Sequence, residues 1–254
     1  MTHLKVKGFV IREVPVGESD RIVNILTAEH GLISASARGA RRTRSPLLLS
    51  TQIFSLSDFE LFVNKGHYSV NSAELTEAFM PLQQDLDRLV CAAHLAEVLL
   101  DSTRDDVAQP DLYRLWAYSL QALQSRPDPL LTVHLAQLRL LLTIGYAPCT
   151  DTCVICGDAL NDQARFSVRS CGTVCEKLVC RQKAGDSQAL AAGTLPCLRH
   201  ALTAPLGRLF SVRLSPDARR DFLLLSERYL THQMEKSYNR LQLLVGLDDI
   251  NMNS

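Results

Sequence analysis

The sequence predicts an α+β protein of more than one domain: a small closed β-barrel, then a helical domain interrupted by a cysteine-rich, metal-binding insert. Three observations predict it. The first 80 residues hold short strand-like runs broken by turn residues, with no helix of length. From Met80 the apolar residues recur at three and four, the period of a helix face. Six of the eight cysteines then fall between Cys149 and Cys180. The resulting boundaries are 1–80 for the barrel, 81–148 and 186–254 for the two parts of the helical domain, and 149–185 for the insert.

In chain order, Phe9–Val14 is a strand run ending at Pro15, and Val16–Asp20 is a loop. Arg21–Thr27 is a second strand, and Glu29-His30-Gly31 turns into a third at Leu32–Ala37. Gln52–Ser57 and Phe59–Val63 are read as further strands, and Asn64-Lys65-Gly66-His67 as a hairpin turn into Tyr68–Val70. Leu82, Leu86, Leu89, Val90, Ala93, Ala96, Val98 and Leu100 mark a first helix. Leu112, Leu115, Trp116, Leu120 and Leu123 mark a second, stopped by Pro127-Asp128-Pro129. The third, Leu130–Ile144, is apolar on more than one face and is expected to be central. Gly145 and Pro148 end it. Ala201–Phe210 is a shorter apolar stretch. Ser215-Pro216-Asp217 opens the last helix with a cap, a proline at the first position and an acid for the dipole. Phe222, Leu225, Tyr229, Leu230, Tyr238 and Leu241 form its expected buried stripe, and the tail from Asp248 to Ser254 reads as frayed.

Lys plus Arg and Asp plus Glu number 27 each, so net charge neither favours nor excludes a polyanionic partner. No apolar run approaches the length of a membrane span. Met1–Lys7 lacks the apolar core of an export signal, so a cytoplasmic protein with reduced thiols is expected. The histidines stand at no spacing that suggests a triad, and no phosphate-binding or nucleophile motif is present. Glu18 and Asp20 lie beside Arg21 and read as loop salt bridges. No catalytic constellation emerges, and a non-enzyme is expected.

Cys153-Val154-Ile155-Cys156-Gly157 is a knuckle: two cysteines at this spacing aim both sulfurs to one side of a tight turn, and the glycine supplies positive φ. A second pair completes a tetrahedron. Cys153, Cys156, Cys175 and Cys180 are the predicted ligands of one structural Zn²⁺, with Cys171 as the substitute for Cys180 and Cys149 just upstream.

Between Glu29 and Asp58 there is no acid, yet Arg38, Arg41, Arg42 and Arg44 all lie there. Four guanidiniums in seven residues repel one another, and their planar donors suit phosphate. On a small β-barrel this predicts a surface for single-stranded nucleic acid, with Arg12, Arg21 and Lys65 as further phosphate contacts. Phe9, Phe54, Phe59, Phe62 and Tyr68 are possible stacking platforms, but their strand spacing favours the barrel core for most. A competing reading is an adaptor whose helical domain grips acidic peptide tails in an apolar groove, with Arg139 at its rim.

The string Gly17–Val23, then Glu29–Leu32, then Ala37–Arg42 resembles the N-terminal signature of the bacterial recombination mediator family RecO. Leu138–Leu141 with Gly145–Pro148, and the knuckle Cys153–Gly157, match its C-terminal half. The resemblance implies an N-terminal OB-fold, a helical C-terminal domain, a zinc-binding insert and a nucleoid-associated place in the cytoplasm. It also implies binding to single- and double-stranded DNA and annealing of complementary strands. The implied partners are RecR, the acidic C-terminal tail of single-stranded-DNA-binding protein and, indirectly, the RecA recombinase, in the RecFOR pathway. The family pattern places its second cysteine pair at Cys-x2-Cys; here Leu178 occupies that fourth position and Cys180 follows it.

Overall fold

The computed structural model describes residues 2–103, 107–160 and 164–244. The chain forms two compact units, Met1–Gln124 and Ser125–Ser254.

In the first unit, β1 (Thr2–Val16), β2 (Asp20–Thr27), β3 (Gly31–Ala37), β4 (Leu56–Asn64) and β5 (His67–Glu77) pair in a closed ring of order β1-β2-β3-β5-β4. One strand makes closure possible. The first half of β1 pairs with β4 from Thr2↔Val63 to Phe9↔Leu56, and its second half with β2 from Gly8↔Thr27 to Val16↔Asp20. Gly8 sits where both neighbours meet it. A Cβ there would come within 2.4 Å of Ile25 Cγ2 and 2.9 Å of Leu26 O, so no other residue fits. A bulge between Val10 and Arg12 bends the strand just beyond. β1 thus begins well before the expected Phe9. Its early residues alternate, with Val6 buried and Lys5 and Lys7 exposed. The barrel closes between β3 and β5 by a short parallel contact at Ala35↔Tyr68 and Ser36↔Ser69. Its interior is filled by Val6, Val10, Val23, Ile25, Ile33, Ala35, Phe59 and Leu61.

The expected strand at Gln52–Ser57 is not one for most of its length. Residues 38–54 run through successive turns, and β4 starts only at Leu56. Phe54 takes φ 69°, with its N–H donating to Val10 O at 2.6 Å and its ring 6.0 Å from Trp116. Local β propensity yields here to burial of one aromatic. The hairpin turn stands as expected, with Lys65 and Gly66 both at positive φ.

The first helical run is split into α1 (Met80–Gln83) and α2 (Leu86–Ser102), because Asp85 between them caps α2 through the Arg88 N–H. α3 (Pro110–Ser125) presents Tyr113 5.2 Å from the Phe9 ring and Trp116 to Phe54. α2 and α3 therefore belong to the same compact unit as the barrel.

In the second unit, α4 (Pro129–Thr143) is buried on nearly every face, as its composition predicts. Its buried polar residues are satisfied: Gln137 Nε2 donates to Ser226 Oγ at 2.7 Å and lies 3.0 Å from His134 Nδ1. A three-stranded sheet of order β7-β6-β8 follows, from β6 (Arg165–Ser167), β7 (Gly172–Val174) and β8 (Gln188–Ala189), with α5 (Leu178–Ala184) between the last two in sequence. The Ala201–Phe210 stretch is the end of α6 (Thr194–Thr203) and α7 (Leu206–Leu209). α8 (Pro216–Met234) opens with the predicted Ser215 cap. It ends at Glu235 in the left-handed region, so Tyr238 and Leu241 are buried beyond the helix and not on its stripe. Among the described residues no helix is long and apolar enough to cross a membrane. The tail from Asp248 lies outside the described residues.

Candidate nucleic-acid interface and metal centre

The basic segment leaves the barrel at the end of β3 and is rigidly built. Ala40, Leu47, Ser50 and Thr51 are buried, and Ala37, Ala40 and Leu47 pack together against Val70 and Ala73. The turns are closed by Arg42 N–H to Gly39 O, Ser45 N–H to Arg42 O and Thr51 N–H to Leu47 O, at 3.2, 2.9 and 3.2 Å. Gly39 takes φ +66°, the left-handed conformation such a reversal needs. This frame leaves Arg38, Arg41, Arg42 and Arg44 exposed. Among the described residues none of the four enters an ion pair with a carboxylate. Among the described residues only Arg41 of the four makes a side-chain hydrogen bond, from Nη1 to Gly17 O at 3.1 Å. Arg12 and Lys65 are also exposed.

Arg21 does not join them. It is 7% exposed, pairs with Glu13 on β1 and donates to Thr51 O at 3.0 Å. It is a strut inside the barrel wall, not a phosphate ligand. The reading of Glu18 and Asp20 as partners of Arg21 is likewise corrected. Asp20 Oδ1 instead accepts the Gly39 N–H at 2.7 Å and the Ser19 hydroxyl at 3.0 Å. These two bonds, more than the nearby Arg38 and Arg42, hold its carboxyl below the usual range. Phe9, Phe54 and Phe59 are fully buried and offer no stacking face; Phe62, beside His3 at 4.4 Å, and Tyr68 are half-buried.

Arg139 is also corrected. Its Nε donates to Ala201 O at 2.8 Å and its Nη2 to Ala204 O at 2.6 Å, satisfying carbonyls at the end of α6. Burial lowers its pKa. It is a helix cap from α4, not a rim cation. Elsewhere in the same unit is a cleft of about 300 Å³ that the sequence did not indicate, lined by Leu131, Leu135 and Phe210 among others, with Arg126 and Arg213 also in its wall.

The metal site is built from two loops. The knuckle turn is closed by the Gly157 N–H to Cys153 O at 2.8 Å, with Gly157 at φ +77°. β7 delivers Cys175, and α5 turns Cys180 back toward it. The four sulfurs of Cys153, Cys156, Cys175 and Cys180 lie within 4.8 Å of one another, and Cys156 and Cys175 are 3.8 Å apart. A tetrahedron with metal–sulfur bonds of about 2.3 Å has edges of about 3.8 Å, so the donor set fits Zn²⁺. Cys171 instead faces away, accepting from Gln233 Nε2 at 3.1 Å, and Cys149 Sγ lies 3.7 Å from Thr152 O. Cys180 therefore takes the fourth place. Gly172 is obligatory beside the site, since a Cβ would lie 2.6 Å from both Cys149 O and Val154 Cγ1. Burial opposes ionisation of Cys153, yet the N–H groups of Cys175, Cys156 and Ile155 bring it down to about 6. Burial and the adjacent Cys175 push Cys180 up to about 12. Four sulfur donors can fill a tetrahedral coordination sphere by themselves.

A family model described as Recombination protein O N terminal matches residues 1–79, and one described as Recombination protein O C terminal matches residues 83–242. The chain belongs to the RecO family. Curated relatives named DNA repair protein RecO include one from Acetivibrio thermocellus, 36% identical over 98% of this chain and 99% of its own length. Others are from Alkaliphilus metalliredigens, 31% identical over 99% and 96%, and from Anaeromyxobacter, 32% identical over 98% and 98%. The two family segments meet where β5 gives way to α1.

Proposed function

We propose that this chain is a non-enzymatic mediator of recombinational DNA repair. Its barrel acts as an OB-fold that binds single- and double-stranded DNA through the arginine turn. With RecR it would help load RecA on gapped DNA coated with single-stranded-DNA-binding protein. The observation that carries this reading is the set of four exposed guanidiniums on a rigid turn, with no carboxylate paired to them among the described residues. Phosphate contacts of this kind release counterions and carry no sequence code. With the barrel phenylalanines mostly buried, base edges stay uncovered, and two coated strands can pair: screened phosphates and free bases are what annealing requires. A Zn²⁺ at the four cysteines would brace the insert, whose own apolar core is small.

The adaptor reading loses its carrier with Arg139. Its useful part is retained here: the Arg126 and Arg213 cleft suits an acidic peptide ending in an apolar residue, and we place the tail of single-stranded-DNA-binding protein there.

The direct test is a salt-dependent titration of DNA with wild type and the Arg42→Ala/Arg44→Ala variant. Among the described residues neither side chain makes a hydrogen bond, so their loss leaves the turn standing. Two lost phosphate contacts flatten the slope of log K against log salt by about 1.4 on single strands and about 1.8 on duplex. An unchanged slope removes the arginine turn as the DNA surface.

A further inference from the structure

The arginine turn is pinned at both ends by two consecutive residues of β2. Arg21 holds the far end through Thr51 O at 3.0 Å. Asp20 holds the near end through the Gly39 N–H at 2.7 Å, while the neighbouring Ser19 O accepts the Arg41 N–H at 2.8 Å. An acid in this place is unexpected on a DNA surface. It sits near Arg38 and Arg42 and repels the same phosphates they attract. What it provides is geometric. A carboxylate accepting the Gly39 amide fixes the reversal that fans the four guanidiniums outward. Without that acceptor this end would keep only the Arg41 ties to Ser19 O and Gly17 O, and the Gly39 reversal with its arginines would have to be ordered in part by the DNA itself.

We infer that Asp20 is a positioning residue for DNA binding, presetting the arginine turn through the Gly39 amide at the expense of one unfavourable charge. The inference rests on the turn being the DNA surface. It makes a prediction whose sign electrostatics alone reverses. Removing an anion beside phosphates should tighten binding. Removing the acceptor should weaken it, because the turn is no longer preset.

The experiment is fluorescence anisotropy with a labelled single-stranded oligonucleotide at fixed ionic strength, on full-length protein. The variants are Asp20→Ala, Asp20→Asn and Arg42→Ala/Arg44→Ala, and Asp20→Ala combined with the arginine pair, each checked for cooperative thermal unfolding. Asp20→Ala is expected to bind about ten- to hundredfold more weakly, the worth of one hydrogen bond to a charged group. Asp20→Asn, whose amide oxygen still accepts from Gly39, is expected to bind as tightly as wild type or tighter. In the arginine-deficient background the alanine effect should shrink, because two of the four arginines it positions are gone.

Asp20→Ala binding at wild-type strength or better overturns the inference, as does Asp20→Asn binding as weakly as Asp20→Ala. A full alanine loss that persists without Arg42 and Arg44 also overturns it, since the effect then runs through general stability. If the arginine pair leaves the salt slope unchanged, the DNA surface falls and the inference with it. A normal arginine effect with a silent Asp20→Ala removes the positioning role alone.

Discussion

The assignment of Arg21 as a strut separates it sharply from the arginines a few residues away, and Arg21→Met tests the separation. Methionine keeps much of the aliphatic stem and removes the guanidinium. Two interactions go: the ion pair with Glu13 and the bond to Thr51 O at 3.0 Å. Thr51 is wholly buried, so its carbonyl loses this donor without gaining water in exchange. The Glu13 side chain is 33% exposed and regains part of its hydration. Breaking a fully buried pair costs about 3–5 kcal/mol; the exposure of Glu13 puts this case near the lower end, about 3 kcal/mol. For a unit of Met1–Gln124, at about 3–4 °C per kcal/mol, the barrel unit should melt about 10 °C lower. The assay is thermal unfolding by circular dichroism, paired with the DNA salt titration at 25 °C. The folded variant should keep the wild-type slope, since no phosphate contact is lost. A wild-type melting point together with a slope flattened by about 0.7 would show that Arg21 reaches DNA, and the strut would be wrong.

Cys156→Ser should abolish metal retention and make the 149–185 segment susceptible to protease, whereas Cys149→Ser and Cys171→Ser should keep one metal per chain, measured with a chromophoric chelator. Retention should also fall as the solution is acidified, because protons and metal compete for the same sulfurs. Asp128 caps α4 and takes a forked bond from Arg219 at 2.6 and 2.9 Å; burial opposes its ionisation, but Arg219 and the Leu131 N–H prevail and its pKa is lowered. A depressed carboxyl stabilises the fold above its unfolded pKa of about 3.9 and loses that contribution as pH falls below it. Asp128→Asn should therefore be less stable at pH 7 and show a weaker acid dependence in urea unfolding below pH 4. Arg126→Ala/Arg213→Ala should weaken binding of an acidic, Phe-ended peptide at least fivefold in a fluorescence titration; equal binding would remove the cleft as its site.

What the sequence determined by itself is what a few neighbouring residues determine physically. Ser215 and Asp128 mark helix starts because each side chain bonds an N–H three residues on. The knuckle at Cys153–Gly157 and the hairpin at Lys65-Gly66 are legible because the turn chemistry is contained within the motif. The exposed Arg38–Arg44 cluster is legible because dense like charge is tolerated at a surface and rarely elsewhere. The tertiary structure alone decided which groups meet across long stretches of chain. Arg21 and Arg38 look alike in sequence, but a carbonyl thirty residues away withdraws one of them from solvent. Arg139 is taken by the Ala201 carbonyl of α6, and Cys171 turns toward Gln233, both sixty-two residues on, which leaves the fourth sulfur position to Cys180. Gln52–Ser55 carries strand-forming side chains but bends to bury Phe54 beside Trp116. In each case the local preference is worth a few tenths to about one kcal/mol, and the distant partner, once folding has brought it near, is worth more.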